Sequence, residues 1–305
     1  MSRSNRNIAI QLAASLFLII STQITCQRSL SAAKARTSNN TSAFEIGDAV
    51  KYNRVIEYAK QNNLTQKPLG EIVQLVARQF LGSEYQAGLL DRSTQEILVI
   101  SLKQFDCLLF IETVLAIADN IVRQEYGDSE FSRGIENRRY WNGKMNGYCS
   151  RLHYFSDWVS DNQARGNLNN VTKELGGIDT IKQLNFMTTN RSSYPNLVKS
   201  DVNFQCIARV EASLSTNFNY IPTKNIHQIY ARLQPGDIVG IATNIAGLDF
   251  THTGLVYQQP NGRIGLIHAS PAGKVTIAPD LQIYVKNVKN SIGIVVSRAS
   301  EPKLR

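Results

Sequence analysis

The last third of the chain consists of short β-rich runs, whereas the first half shows helical spacing, and this change limits the possible folds most strongly. Turn sequences such as Pro235-Gly236 and Pro260-Asn261-Gly262 separate the runs. The four runs, rich in apolar and β-branched residues, are 237–241, 253–257, 264–268 and 292–296. Their length and spacing predict an antiparallel sheet.

Segments whose apolar residues have helical spacing precede the predicted sheet in the chain. Apolar residues recur with a helical period over 48–62 and 67–81, and the second segment begins at a proline and ends before a glycine. A strand-like run, 96–102, leads into the start of an apolar helix, and another helix is predicted over 151–162. Helices followed by an antiparallel sheet predict an α+β fold. With no repeat or linker, we expect one catalytic domain over 46–305.

The N-terminus is typical of an export signal. Arg3 and Arg6 precede an apolar run, 8–20, which is too short for a comfortable membrane span. We expect a signal peptide over 1–26, although cleavage as late as residue 35 fits as well. Lipidation at Cys26 is a further alternative, but Gln23 and Thr25 fit a lipobox poorly. Polar and small residues then predict a disordered lead-in over 27–45. The mature chain is expected in the periplasm or cell envelope of a bacterium.

Charge and cysteine spacing narrow the function classes. The net charge of +9 favours an anionic partner, but the basic residues form no dense cluster, so no nucleic-acid partner is expected. Cys149 and Cys206 allow either a disulfide or two separate buried thiols. The chain contains neither C-x-x-C nor H-E-x-x-H, so we expect no metal site and no cofactor. The oligomeric state is left open.

Cys107 is the candidate nucleophile. It follows Asp106 at the start of the apolar helical stretch 108–118. A thiol in the first turn of a helix lies at the positive end of the helix dipole, which predicts a lowered pKa and a reactive thiolate. The alternative is an inert buried cysteine, because free cysteines are among the most buried residues.

Two of the four histidines complete this arrangement. His252 and His268 occupy strand positions on either side of the Pro260-Asn261-Gly262 turn, so a hairpin can bring them side by side. A cysteine hydrolase needs an imidazole as base and a third polar group that orients it. The alternative is that each histidine is an ordinary residue of the β core.

These residues occur in motifs that resemble the NlpC-type papain-like cysteine peptidases, a superfamily of bacterial cell-wall hydrolases. The core motifs, in chain order, are Phe105-Asp106-Cys107, Leu233-Gln234-Pro235-Gly236-Asp237, His252-Thr253-Gly254 and Leu266-Ile267-His268-Ala269-Ser270. Further segments resemble one branch of it, the N-acetylmuramoyl-L-alanine amidases; they are 80–88, 150–158, 185–187 and 243–249. The resemblance runs from about residue 70 to the C-terminus.

The resemblance implies a fold and a set of roles. The fold would be a papain-like NlpC-type core with insertions, in which the nucleophile begins a helix packed on the C-terminal sheet. Cys107 would be the nucleophile, His252 its base and His268 the residue that orients the base. Tyr85 would supply one donor of the oxyanion hole, together with the backbone N–H of Cys107. An ordinary core tyrosine is the alternative for Tyr85.

Three further residues are candidate substrate contacts. In the endopeptidases of the superfamily, the aspartate before the nucleophile binds a free amine, which an amidase substrate lacks. Asp106 is therefore either a substrate contact or a helix cap. Arg151 and His153 are candidates for binding substrate carboxylates, and a surface ion pair is the alternative.

The expected activity is hydrolysis of the amide between N-acetylmuramic acid and L-alanine, in peptidoglycan or in small muropeptides. An endopeptidase that cuts the D-glutamyl–diamino-acid bond is the first alternative. A wall-binding module without catalysis is the second. The candidate Cys–His–His set argues against the module, and the branch motifs favour the amidase over the endopeptidase.

Overall fold

A computed structural model describes residues 46–214 and 217–303. The predicted signal peptide and lead-in, 1–45, lie outside these residues. The helices are α1 Ile46–Gln61, α2 Leu69–Arg78, α3 Cys107–Arg123, α4 Asp128–Arg139, α5 Phe155–Ala164, α6 Phe186–Thr189, α7 Pro195–Val198, α8 Asp201–Ser213 and α9 Leu281–Asn287. The strands are β1 Glu84–Tyr85, β2 Gln104–Phe105, β3 Leu168–Asn170, β4 Ile178–Ile181, β5 Asn217–Pro222, β6 Ile238–Thr243, β7 Phe250–Gln258, β8 Ile264–Ser270, β9 Lys274–Ala278 and β10 Ser291–Ala299.

The strands form one sheet in the order β2-β1-β9-β8-β7-β6-β10-β5-β4, and β3 also pairs with β10. β1 and β2 are parallel to each other. Every other adjacent pair in this order is antiparallel. The four predicted β runs correspond to β6, β7, β8 and β10. The predicted α+β class is confirmed. No helix in the described ranges is long and apolar enough to cross a membrane.

Helical layers cover both faces of the sheet. Helices α1 to α5 and one face of the central strands share a core that includes Phe105, Leu255 and Ile267. On the other face, α9 and a 3-10 segment, Thr223–Arg232, pack over residues such as Val256. Both faces of β6, β7 and β8 are therefore buried, which explains their nearly continuous apolar sequence.

The strand predicted over 96–102 is wrong. Most of this segment has no regular secondary structure and no strand partner, and the short strand β2 follows it. Side chains form hydrogen bonds with its backbone instead. Arg139 Nη1 donates to the Val99 carbonyl at 2.5 Å, and the Leu102 N–H donates to Asp48 at 2.9 Å. The helix predicted over 151–162 begins later than expected, because residues 151–154 lead into α5 in a non-helical conformation.

An insertion over 182–214 contains α6, α7 and α8 and forms a small separate core together with Tyr148 and Tyr154. Glu211 lies at its centre: it accepts hydrogen bonds from the Tyr154 hydroxyl at 2.6 Å and from the Met187 N–H at 3.0 Å. Cys206 of α8 forms a disulfide with Cys149, with a Cα–Cα distance of 6.2 Å. Of the two possibilities for these cysteines, the structure has the disulfide.

Candidate active site

Cys107 is the first residue of α3, and Asp106 caps this helix. One Asp106 carboxylate oxygen accepts from the N–H groups of Leu108 at 3.0 Å and Leu109 at 2.8 Å. The carboxylate does not cap the N–H of Cys107, which lies at the positive end of the helix. Cys107 is partly accessible and is the free cysteine of the described residues.

The resting state of Cys107 differs from the prediction. Burial, followed by the neighbouring Asp106 carboxylate, raises the pKa of the thiol to about 11, although hydrogen bonding by Thr253 lowers it. The predicted lowering by the helix dipole is therefore wrong, because the cost of placing a thiolate in this dense environment is larger. Cys107 is an uncharged thiol at neutral pH and needs a base to become a nucleophile.

A buried ion pair links α3 to the neighbouring elements. Glu112, fully buried on α3, accepts from Arg139 Nε at 2.7 Å and from the Trp158 indole N–H at 3.3 Å. Since Arg139 also donates to the Val99 carbonyl, the pair joins α3, α4, α5 and the segment before the nucleophile. A buried pair with its remaining lone pairs satisfied favours one arrangement of these elements. This network fixes the helix that carries Cys107.

His252 on β7 and His268 on β8 form a hydrogen-bonded pair. Both are buried, with 2.7 Å between His252 Nε2 and His268 Nδ1. The predicted hairpin joins the two strands, with the Gly262 N–H donating to the Gln259 carbonyl in its turn. Gly254 leaves room for the pair, because a Cβ there would come within 3.0 Å of His268 Cβ.

The free nitrogen of His252 is the candidate base. Its Nδ1 is buried and has no hydrogen-bond partner among the described residues. Burial, and then the neighbouring His268, hold the pKa of His252 well below its usual value, and burial lowers the pKa of His268 to about 4. Both imidazoles are therefore neutral at neutral pH. No hydrogen bond joins Cys107 to either ring in the described structure, as is common before substrate binds.

Tyr85 lies near the thiol, on the short strand β1. Its strand runs beside β2, and the register places Tyr85 next to Phe105, two residues before Cys107. Burial, and then the nearby Cys107 and Asp106, raise the pKa of Tyr85 far above its usual range. The hydroxyl therefore stays protonated and can donate a hydrogen bond.

Thr253 and Tyr284 also belong to the site, and sequence reasoning missed both in this role. Thr253 lies beside the Cys107 thiol and lowers its pKa, although its hydroxyl has no hydrogen bond of ordinary length. Tyr284 of α9 packs against both imidazoles, with centroid distances of 4.6 Å to His268 and 6.1 Å to His252. No motif singles out Tyr284, because α9 reaches the site only through the tertiary fold.

Arg151 and His153 are held by structural partners. Arg151 is buried and pairs with Asp91 at 3.1 Å and Glu96 at 3.2 Å. His153 Nε2 lies 2.9 Å from the Tyr148 carbonyl, and burial followed by the Arg151 charge lowers its pKa to about 3. A balanced guanidinium and a neutral imidazole attract substrate carboxylates weakly. Both side chains thus have structural partners, and contact of either with substrate carboxylates stays a prediction.

Metal ligands are not grouped at this site. Among residues 46–214 and 217–303, no cluster of three or more His, Cys, Asp or Glu side chains is arranged to hold a metal ion. The arrangement offers the Cys107 thiol, a pair of neutral imidazoles and the hydroxyls of Tyr85, Thr253 and Tyr284. Together these groups are suited to nucleophilic acyl transfer.

Residues 75–294 match the family described as AmiA-like, N-acetylmuramoyl-L-alanine amidase-like. The match covers well over half of the chain, and the chain therefore belongs to this family. The family suggests a cell-wall peptidoglycan substrate. A comparison with curated proteins gives no match.

Solved structures of differently named proteins resemble the chain. An N-acetylmuramoyl-L-alanine amidase from Bacteroides uniformis ATCC 8492 is 29% identical with a TM-score of 0.72, and the alignment covers 76% of this chain and 99% of that one. A putative xylanase from Bacteroides fragilis is 32% identical with a TM-score of 0.65, covering 73% and 98%. A Legionella pneumophila protein of the DUF1460 family, 18% identical over 84% and 96% with a TM-score of 0.63, shares the fold.

Proposed function

We propose that the chain hydrolyses the amide between N-acetylmuramic acid and L-alanine, with Cys107 as nucleophile, His252 as base and His268 as the residue that orients the base. The observation that carries the proposal is the buried His252–His268 pair, whose free Nδ1 belongs to the residue next to Thr253, the neighbour of the thiol. The family and the amidase from Bacteroides uniformis support the choice of bond.

The first half of the reaction forms an acyl-enzyme. His252 Nδ1 takes the thiol proton, and the Cys107 sulfur attacks the carbonyl carbon of the lactyl group of muramic acid. The resulting imidazolium gives this proton to the L-alanine nitrogen, so the C–N bond breaks and the stem peptide leaves with a free amine. A thioester between Cys107 and the lactyl group remains.

The second half restores the enzyme. His252, neutral again, takes a proton from a water molecule that attacks the thioester carbonyl. The sugar acid leaves, and the Cys107 sulfur regains a proton from the imidazolium. Neutral resting states of Cys107 and His252 suit this cycle, because each half-reaction begins with a proton transfer to the neutral imidazole of His252.

Two donors are proposed for the oxyanion of each tetrahedral intermediate. The uncapped N–H of Cys107 is one, and the protonated hydroxyl of Tyr85 is the other. A pair of donors fixed before the reaction stabilises developing charge without reorganisation. We assign Asp106 to capping α3, so that the Cys107 N–H keeps its place.

A superfamily relationship to the NlpC-type papain-like peptidases forms part of the proposal. It rests on the order of the motifs around Cys107, His252 and His268, and on a nucleophile that begins a helix covering a sheet. The D-glutamyl–diamino-acid endopeptidase of that superfamily is the alternative activity.

A defined disaccharide-tetrapeptide separates the two activities. Mass spectrometry of the products should show the free disaccharide and an intact tetrapeptide that begins at L-alanine. The tetrapeptide without its sugar should remain uncut. A disaccharide that retains L-alanyl-D-glutamate would instead establish the endopeptidase, and binding of the substrate without any product would establish a wall-binding module.

Export is also proposed, to the periplasm or cell envelope of a bacterium. The basic and apolar N-terminal sequence supports it, and so does the Cys149–Cys206 disulfide, because disulfides persist in oxidising compartments. Fractionation of the expressing cells, with the redox state of the two cysteines measured in each fraction, tests it. A cytoplasmic protein with both thiols free would contradict it.

A further inference from the structure

Tyr284 lies close to both imidazoles and to the thiol of the candidate site. Its hydroxyl oxygen lies 3.4 Å from His268 Nδ1, the same atom that contacts His252 Nε2 at 2.7 Å. The Cys107 thiol is near enough to raise the pKa of Tyr284, and Tyr284 is near enough to raise the pKa of Tyr85. Tyr284 thus connects the imidazole pair with the thiol.

Two proton arrangements fit the short distance between the imidazoles. In the first, His252 carries its proton on Nε2 and donates to His268 Nδ1, which leaves His252 Nδ1 with a lone pair. In the second, His268 Nδ1 carries the proton and donates to His252 Nε2, so that a neutral His252 carries its proton on Nδ1. A base for the thiol needs the first arrangement.

The position of the Tyr284 hydroxyl favours the first arrangement. Burial, and then the nearby thiol, raise the pKa of Tyr284 far above its usual range, so the hydroxyl keeps its proton and can donate to His268 Nδ1. A His268 Nδ1 that accepts from Tyr284 carries no proton itself, and its one lone pair is then shared by two donors, His252 Nε2 at 2.7 Å and the Tyr284 hydroxyl at 3.4 Å.

We propose that Tyr284 is a positioning residue that sets the tautomer of His268, and through it leaves His252 Nδ1 unprotonated and ready to accept the thiol proton. The inference rests on the proposed function, because it assigns the thiol proton to His252. It adds a residue from a separate element, α9, to the Cys–His–His set.

Nitrogen NMR of the histidine rings tests the inference without any substrate. The chain has four histidines, so ring nitrogens can be assigned by single substitutions. In the wild type, His252 should carry its proton on Nε2 and show a bare Nδ1. In Tyr284→Phe, which keeps the ring, a fraction of His252 should carry its proton on Nδ1, and kcat should fall about 3- to 30-fold with KM nearly unchanged.

Tyr230→Phe is the matched control. Its hydroxyl accepts from the Gln282 N–H at 2.8 Å and contacts Asp280 at 3.1 Å, so it holds the start of the same helix without touching the imidazoles. This control should lower thermal stability and leave both ring tautomers unchanged. Unchanged tautomers in Tyr284→Phe would overturn the inference.

The outcome for Tyr284 is separable from the proposed function. If Cys107→Ala retains amidase turnover, the cysteine mechanism fails whatever the ring nitrogens show. If Cys107→Ala is inactive and Tyr284→Phe keeps the wild-type tautomers, only the role of Tyr284 fails.

Discussion

The ring of His252 stands nearly perpendicular to that of His268, at an interplanar angle of 84°, with 2.7 Å between Nε2 and Nδ1. A single hydrogen bond therefore joins the rings of two neutral side chains inside the protein. Because this bond uses Nε2 of His252, Nδ1 is the nitrogen that remains for the proposed proton transfer from Cys107.

Cys107→Ala and His252→Ala should each reduce kcat by at least about 10³-fold, because a partial catalytic set retains little acceleration. Product formation from the disaccharide-tetrapeptide measures the loss, and circular dichroism checks that the fold persists. His227→Ala is a suitable control, since His227 contacts Tyr230 and is exposed. Turnover near the wild-type rate in Cys107→Ala would remove the cysteine mechanism.

His268→Ala should lower kcat roughly 10²-fold, because His252 loses the acceptor that holds its ring. His268→Asn should lower kcat less, since the amide oxygen can accept from His252 Nε2. Steady-state kinetics of the two variants give the comparison. Equal losses in both, with folds intact, would show that acceptance at this position does not matter.

Substitutions of Asp106 distinguish its role as a helix cap from a role as a substrate contact. Asp106→Ala should lower the free energy of unfolding by about 1 kcal/mol, whereas Asp106→Asn keeps a capping oxygen and should remain stable and active. Ser200→Ala is the matched control: Ser200 caps α8 by accepting from the Asn203 N–H, so its loss should lower stability alone. Denaturant unfolding and kcat/KM are measured for all three. A stable but inactive Asp106→Asn would show that the charge contacts substrate.

Asp157 on α5 makes stability depend on pH. Burial, followed by the nearby Asp161 and Asp249, raises its folded-state pKa to about 7, and one oxygen has no hydrogen-bond partner among the described residues. A folded pKa above the unfolded value of about 3.9 means that ionisation costs stability, fully above pH 7 and hardly at all below pH 4. Asp157→Asn should therefore raise the free energy of unfolding by on the order of 1–4 kcal/mol at pH 8.

The same measurement at pH 4 should show almost no gain for Asp157→Asn. Asp161→Asn is the control of opposite sign, because Asp161 pairs with Arg165 and accepts from the Asn142 N–H at 2.9 Å. Its loss should destabilise the fold at pH 8. A gain for Asp157→Asn that is equal at both pH values would exclude ionisation as its cause.

Local patterns predicted the parts of the fold that local forces determine. Apolar β runs on both sides of Pro260-Asn261-Gly262 gave the hairpin, and a hairpin of that register brings His252 and His268 together. The start of α3 was visible as Asp106 before a long apolar helix. These features depend on neighbours in the chain, which the sequence displays directly.

Other features depend on residues far apart in the chain. The run 96–102 has a strand-like sequence, but Arg139 and Asp48 take its backbone groups in place of a neighbouring strand. The thiol pKa was predicted in the wrong direction, because helix position is a local property and burial of Cys107 is not. Tyr284 lacks any signal of its own and acquires a role only where α9 packs on the sheet.

The bond between Cys149 and Cys206 spans a sequence separation of 57 and ties the insertion to the segment that precedes α5. A protease that cuts an exposed loop between the two residues breaks the chain once without separating the pieces. The nicked protein should run as one band on a non-reducing gel and as two bands after reduction. If the chain is exported as proposed, this bond would keep a molecule that has been cut once in one covalent piece.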